Sequence, residues 1–596
     1  MKRALTRFLI CAILLITLHA CEDNVEKRSV DQPDPVTPDL SIKVNGSVAG
    51  FVTDAEGSPV PFADVYAGQK RAITDAYGYF NMPNTSLPAM AGHVAVSRNG
   101  YVTMHKTFLP VQDAETFVRV TLLPKHEIGT IDASSGGSAT TGNGAGITLP
   151  ANGVVIADNG NAYSGLVHVN ATFIDPAPGE DFPSTVPGDG RGVNAAGHLE
   201  AMKIFTSVAV ELTADNGQAL QIAAGKSATI TLPIPPALLA DAPDVVALWA
   251  FDANTGLWKQ EGSATRTGNE YNGMVGHFSF WAGAEGFPLV TFSARVVDGA
   301  SQPLSHVPVL VSFAGMPRNA GHGRFGFTDA DGYITGSVFA NASLVLDILT
   351  PCNLPAYSHE FSTAATDINL GTLTGNLGQN AVTLSGTVLD CEGLPVESGY
   401  VQTYDNGFYN RILIDNGAFT FTGVLCTNTG VSVVAVDLAA FEQSTPQTIT
   451  INPGNNALGA FTACGTSTVG NITYTFDGGE PVVIQEPADT IAGYSLGDTG
   501  DWTQILVLSG DPNGAQQMAF QFDGGNVSGT GHKLTDVYSN IFPSGHGYWP
   551  APVTVTITEY GNVGGFIAGS FSSNMLNFDD NALHTLEVGF RVRRYH

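Results

Sequence analysis

Few residues here have both the types and the spacing that chemistry requires. Gly493-Tyr494-Ser495-Leu496-Gly497 has the GxSxG spacing with which a strained strand-to-helix turn lifts a serine nucleophile out of a sheet. That use needs a helix directly after the serine, whereas Asp498, Gly500 and Asp501 follow and signal a turn. Asp329-Ala330-Asp331-Gly332 has the head of a calcium-binding loop without the later ligands or the closing glutamate, so a plain hairpin turn is expected. The 14 histidines are scattered, and no HExxH pair occurs. No metal site, cofactor or catalytic constellation is expected from that pattern. Trp249, Trp258 and Trp281 could stack on sugar rings, but they lie in strand-like stretches where core positions are expected. Trp502, Tyr548 and Trp549 sit among Gly, Asp and Pro, which suggests loops and makes them the ligand-stacking candidates.

Cysteine usage and the N-terminus speak to compartment. Cys352, Cys391, Cys426 and Cys464 lie within one stretch and form no CxxC knuckle. Two disulfides are expected from them in an oxidising compartment, with all three connectivities open. Lys2, Arg3 and Arg7 precede the apolar run Phe8 to Leu18, which has the length of a signal peptide rather than of a membrane span. Leu18-His19-Ala20-Cys21 resembles the bacterial lipobox, with His19 at a position that family fills with a small or apolar residue. The resemblance implies cleavage before Cys21 and acylation of its thiol, hence a membrane partner held through lipid. Glu22, Asp23, Asn24 and Glu26 resemble the acidic export signals of Bacteroidetes-type surface lipoproteins. They imply an outer-membrane location facing the outside. Asp31 to Asp39, with Pro33, Pro35 and Pro38, reads as an extended spacer that lifts the first domain from the membrane.

At 596 residues the chain needs several cores. With 69 glycines, 33 prolines and only 13% charged residues, it suits many short strands joined by tight turns. A formal net charge of −29 repels nucleic acid and anionic headgroups. A glycan or protein ligand remains compatible with it.

An internal repeat organises the rest. Val48 to Asp54, Gly57-Ser58-Pro59-Val60 and Thr74-Asp75-Ala76-Tyr77-Gly78-Tyr79-Phe80 make the first copy. Val296-Val297-Asp298, Pro303-Leu304 and Thr328-Asp329-Ala330-Asp331-Gly332-Tyr333-Ile334 make the second. Gly386 to Asp390, Gly393-Leu394-Pro395-Val396 and Asp415-Asn416-Gly417-Ala418-Phe419 make the third. Alternation such as Val48/Gly50/Val52 puts one strand face into a core. Asp54, Asp298 and Asp390 cap the turn that follows, and Pro59, Pro303 and Pro395 restart an extended edge.

The repeat resembles the carboxypeptidase regulatory-like family, whose fold is a seven-stranded prealbumin-like β-sandwich grouped with carbohydrate-binding-like folds. The resemblance implies an all-β chain of tandem β-sandwich modules, prealbumin-like Greek-key repeats plus two other β-rich domains, with a non-catalytic binding role. The expected order is signal 1–20, acidic Pro-rich linker 21–42, first copy 43–124, a β-rich domain 125–285, second copy 286–375, third copy 376–466 and a C-terminal sandwich 467–596. The β-rich domain resembles segments beside such modules in Bacteroidetes surface proteins and, more distantly, the ectodomain of cartilage intermediate layer proteins. Within it, Asp175 to Gly197 is rich in Gly, Pro and Asp and suits a mobile connection. In the last domain, Arg591, Arg593 and Arg594 on a closing strand can place their charges on one solvated face. Asp489-Thr490-Ile491 resembles the O-glycosylation acceptor of Bacteroidetes, which marks Thr490. The function expected is a lipid-anchored envelope protein that binds or adheres; a structural stalk and an undetected hydrolase are the alternatives.

Overall fold

The computed structural model describes residues 31–596 except 62, 76, 178–181, 319, 351–353, 376–380, 406–407, 425–429, 441, 480–481, 486–488, 497–501, 510–516, 524–528, 540–546, 549–552, 562–564, 578–581 and 595–596. The signal segment, Cys21, Cys352, Cys426 and Trp549 lie outside these residues.

The three copies share one plan, a three-stranded sheet packed on a second sheet, which has four strands in the first two copies and six in the third. In the first, Lys43–Thr53 sits between Tyr79–Pro88, antiparallel, and Glu115–Thr121, parallel. Its second sheet runs Lys70–Ile73, Asp64–Ala67, Gly92–Ser97, Met104–Phe108. The second copy repeats this with Tyr333–Phe339, Leu289–Val297 and Ile368–Thr374 over Arg324–Phe327, Pro308–Phe313, Ser343–Leu349 and Pro355–Ser362. The third uses Ala418–Val424, Ala381–Leu389 and Gly454–Thr462 over a sheet that starts Phe408–Leu413, Gly399–Asp405, Val431–Asp437. The chain is all-β, built of tandem sandwiches.

The repeat's turn residues do the same work three times. The Oδ1 atoms of Asp54, Asp298 and Asp390 each accept backbone N–H groups two and four residues on, from Glu56 and Ser58, Ala300 and Gln302, Glu392 and Leu394, at 2.8–3.1 Å. Pro59, Pro303 and Pro395 then bridge back to Thr53, Val297 and Leu389. The turn needs a left-handed residue, which is Gly57 (φ +80°) and Gly393 (φ +81°) but Ser301 (φ +64°) in the second copy. A Cβ in that region strains the backbone. Ser301→Gly is therefore expected to stabilise the chain by about 0.5–1 kcal/mol, read as a higher urea midpoint; a lower midpoint would contradict the turn account. The Asp329 segment is such a hairpin turn, its carboxylate capping Asp331 and Tyr333 N–H at 2.9 and 2.8 Å.

The central domain is one 13-stranded sheet system threaded by the 16-residue strand Leu199–Ala214. That strand is buried on both faces. Phe205, Val208, Val210 and Leu212 point into the domain's own core. Met202, Ile204 and Ala209 instead join a core that also holds Val48, Val52, Val94, Val96 and Met104 of the first copy. The first copy and the central domain thus share a hydrophobic core.

Three features depart from expectation. Within the range 175–197, whose residues 178–181 lie outside the described ones, Phe182 to Gly192 form a largely buried wedge rather than an open connection. Phe182 and Val186 anchor it in the shared core, and Lys106 Nζ donates to Pro183 O and Val186 O at 3.1 and 2.6 Å. Gly and Pro content misled there because two apolar anchors and a few carbonyls suffice to fix a segment. The Pro-rich stretch is also not a free spacer along its described length. Leu199 N donates to Val36 O at 2.7 Å, Asn341 Nδ2 to Asp31 O at 2.9 Å, and Leu40 packs with Met90 and Leu199. Last, Arg593 is buried and stacks with Arg591 on Phe566 rather than facing solvent.

The C-terminal domain is a ten-stranded sheet system around Leu586, Val588, Phe590 and Val592, which alternate inward along Leu583–Arg593. Its strands Asp489–Leu496 and Trp502–Ser509 pair as an antiparallel hairpin. Ser495 therefore sits inside a strand and leads into another strand, which is not a nucleophile elbow.

Candidate functional site

The site begins with side chains that point away from their own core. On Lys43–Thr53, Val48 and Val52 face inward, so Ala49 and Phe51 face outward, yet they are 1% and 0% exposed. Tyr79 and Arg119 pair with Phe51 across the sheet, and Phe117 pairs with Ala49. This outward face is aromatic: Phe51 meets Tyr79 and Phe117 edge-on at 5.2 and 6.0 Å. The cognate positions are Ser293, Arg295, Tyr333 and Asn369 in the second copy and Ser385, Thr387, Ala418 and Ala457 in the third. Only the first copy carries a mainly apolar outer face, and apolar area must be covered.

Both other copies cover it. Phe327 of the second copy meets Phe117 edge-on at 5.5 Å, and His306 stacks on Phe117 at 4.1 Å while its Nε2 pairs with Glu115 at 2.9 Å. From the third copy, Arg411 lies between the rings of Tyr79 and Tyr400, 3.8 and 3.6 Å from their centroids, and pairs with Asp75 at 2.5 Å. Tyr77 Oη donates to Gln443 Oε1 at 3.3 Å. Burial raises the Tyr79 hydroxyl to about 12 and pushes that of Tyr400 up as well. The rings therefore stay neutral beside the guanidinium.

Where the first copy, the second copy and the wedge meet, a cleft of about 620 Å³ remains. Its walls are Phe108, Phe117, Val118, Phe292, Val309, Val311, Phe325 and Phe327, with Tyr333 at the exposed rim. Arg119 enters from the first copy and Arg324 from the second. Arg119 keeps part of its surface accessible, but its Nε is fully buried and its guanidinium packs 5.3–5.7 Å from the rings of Phe51, Phe117 and Phe327. Burial pulls it down to about 9, so it stays charged at neutral pH. Arg324 is 7% exposed and lies over Phe339 at 4.7 Å. It donates from Nη2 to Met202 O at 2.7 Å and from Nη1 to Gly323 O at 3.3 Å, and its Nε has no hydrogen-bond partner. Burial draws it down to about 10, against the pull of Asp189. Gly190 makes room for it, since a Cβ there would collide with Nη1.

The acids of the cleft are largely committed. Glu115 pairs with His306, Asp189 with Arg191 at 2.7 Å, and Asp329 caps its own turn. Arg324 has no carboxylate within ion-pair distance among the described residues. A cleft floor with desolvated guanidiniums and aromatic walls holds an anionic group on an apolar body far better than a neutral polar one.

The side chains singled out from sequence lie elsewhere. Trp249, Trp258 and Trp281 are at most 1% exposed, and each indole N–H donates to a backbone carbonyl at 3.1 Å, on Ala284, Pro187 and His277. They are core. Trp502 opens the strand Trp502–Ser509 and Tyr548 ends Gly547–Tyr548, so the loop expectation fails for both. Thr490 lies in the strand Asp489–Leu496. Cys391 and Cys464 are disulfide-bonded to each other, joining the ends of the first and last strands of the third copy. Glu442 Oε2 lies 2.8 Å from Cys391 Sγ and accepts from Gly465 N at 3.1 Å. With both sulfurs joined, this trio offers a cation one carboxylate.

Reading from sequence missed the cleft because six strands of two distant copies, with the wedge between them, build it. A signal for the face beneath it was present: Ala49, Phe51, Tyr79 and Phe117 stand where the other copies have mostly small or polar residues.

No protein-family model matches the chain. Among curated proteins it is similar to cartilage intermediate layer protein 2 of Mus musculus, 26% identical over 234 residues that cover 37% of this chain and 20% of that protein. It is similar also to the Homo sapiens protein of that name, 30% identical over 125 residues, 21% of this chain and 10% of that one. The chain thus spans a fifth or less of these relatives. Among solved structures it is similar to a minor pilin of Streptococcus agalactiae, at 9% identity and TM-score 0.15, covering 30% of this chain and 97% of the pilin. A CBM26 module from Eubacterium rectale in complex with maltoheptaose matches at 10% identity and TM-score 0.12, covering 33% of this chain and 96% of the module. A DUF3823 family protein from Bacteroides ovatus matches at 11% identity and TM-score 0.12, covering 36% of this chain and 98% of that one. At such TM-scores nothing about arrangement, ligand or activity carries over to this chain.

Proposed function

We propose that this chain is a lipid-anchored envelope protein, held through Cys21, whose sandwich modules fold around the first copy to present a non-catalytic binding cleft to a glycan or protein ligand. The observation that carries the reading is the cleft of about 620 Å³, whose aromatic walls and two desolvated guanidiniums come from two different modules. Its lining contains no histidine or cysteine. The lipobox-like Leu18-His19-Ala20-Cys21 and the acidic residues after it support the anchor and an outward face.

Three measurements test this. Cells fed a clickable fatty acid should label the wild-type chain and leave Cys21→Ser unlabelled, and protease added to intact cells should cut it. The purified chain, screened on glycan and peptide arrays, should bind at least one class and lose it on Ser293→Trp, which fills the cleft wall. Binding to neither class would sink the binding reading.

A further inference from the structure

Four strands that end their sheets converge on this cleft. Met104–Phe108 and Glu115–Thr121 are sheet edges in the first copy; Arg324–Phe327 and Tyr333–Phe339 are sheet edges in the second. All four contribute to the lining, and none pairs with another. An edge strand offers a row of main-chain N–H and C=O groups, a liability that proteins ordinarily blunt with charge, proline or cover. Here the edges line a half-open cleft of about 620 Å³, where a narrow ligand can reach them.

We infer that the cleft takes an extended peptide segment ending in a free carboxylate, which adds along one of these edges with its terminus on Arg324. This rests on the reading of the cleft as a binding site and names its ligand. Three observations favour a peptide over a glycan. The lining offers main-chain edges, which match the alternating donors and acceptors of a peptide and not those of a sugar. Its walls carry Phe108, Phe117, Phe292, Val309, Phe325 and Phe327, which suit alternate apolar residues of an extended chain. It contains no Trp, Asn or Gln, and its one tyrosine, Tyr333, lies at the exposed rim rather than on the walls. The carboxylate follows from charge. Arg324 is nine-tenths buried with an unpartnered Nε; of the four acids in the lining, Glu115, Asp189 and Asp329 are tied to His306, Arg191 and a turn, and Asp331 is exposed to solvent. A chain with 54 acidic and 25 basic residues that nevertheless buries two guanidiniums in one cleft is complementary to an anion there.

The test uses the purified intact chain with short apolar and aromatic peptides, each made with a free and with an amidated C-terminus, beside an array of neutral and uronic-acid glycans. Free-acid peptides should bind, and amidation should weaken them about tenfold or more, the share of one charge-assisted contact. Arg324→Gln should weaken the free acids similarly and leave the amides nearly unchanged. Ser293→Trp, which leaves the partners of Arg324 in place, should abolish both, so a misfolded Arg324 variant cannot by itself decide the matter. Equal binding of acid and amide would overturn the carboxylate assignment. Binding of glycans but not peptides, blocked by Ser293→Trp, would overturn the peptide while leaving the binding cleft standing. Binding of neither would overturn both.

Discussion

Phe51→Ala is expected to destabilise the protein by about 3–5 kcal/mol, although Phe51 takes no part in the core of its own sandwich. Val48 and Val52 fill that core, while Phe51 clusters with Ala49, Tyr79, Phe117 and Phe327 across the junction with the second copy. Truncation leaves a cavity between modules and removes a ring under the Arg119 guanidinium at 5.3 Å. The loss should therefore appear as an early, separate unfolding step rather than as a uniform shift. Thr387 holds the equivalent place in the third copy and is exposed, so Thr387→Ala should change stability by no more than about 0.5 kcal/mol. Urea unfolding of both variants checks the pair, and equal effects would show that the first copy's outer face bears no load.

Acid should loosen the same assembly. His105 of the first copy lies 5.1 Å from Phe251 of the central domain, and His322 of the second lies 5.2 Å from Phe313. Burial holds both down to about 4, with His93 adding to the effect at His105, and Arg324 and Lys203 adding at His322 against the pull of Asp241. The folded values lie below the unfolded one of about 6.5, so the unfolded chain binds these protons first. Stability is intact above about pH 6.5 and drains as pH falls towards 4, by on the order of 3 kcal/mol per histidine. Protonation of surface carboxylates lowers the net charge of −29 and relieves self-repulsion, which acts in the opposite direction. The informative quantity is thus the difference between wild type and His105→Leu/His322→Leu. The double variant should lose much less midpoint stability between pH 7 and 4.5, and parallel profiles would show that neither histidine is held neutral.

Much of the fold was readable because local chemistry repeats. The Asp, Gly and Pro of each turn have fixed jobs: a carboxylate that caps, a residue that tolerates positive φ, and an edge restart that needs no donor. Even the exception, Ser301, was visible as a departure from the pattern. What the sequence concealed is relations between modules. Alternation identifies an inward face but does not tell whether the outward one meets water, and Phe51 and Thr387 occupy the same register with opposite fates. The wedge from Phe182 to Gly192 has the composition of a loop and the burial of a core, because its few anchors act only against a partner 80 or so residues away, as Lys106 does with Val186. The indoles of Trp249, Trp258 and Trp281 were readable as core, while Trp502 and Tyr548 were misplaced onto loops because flanking Gly and Asp signal turns just beyond strand ends as well.

The central claim is that the repeats fold against one another around the first copy. Asp75 and Arg411 test it most directly, since 336 residues separate them and the ion pair exists only if the first and third copies touch. Asp75→Asn keeps the Oδ1 that caps Tyr77 and Tyr79 N–H, so it removes charge without removing the turn. In a double-mutant cycle with Arg411→Gln, the account predicts a coupling of about 1–3 kcal/mol. Effects that add to within about 0.5 kcal/mol would contradict it and return the chain to a string of independent modules.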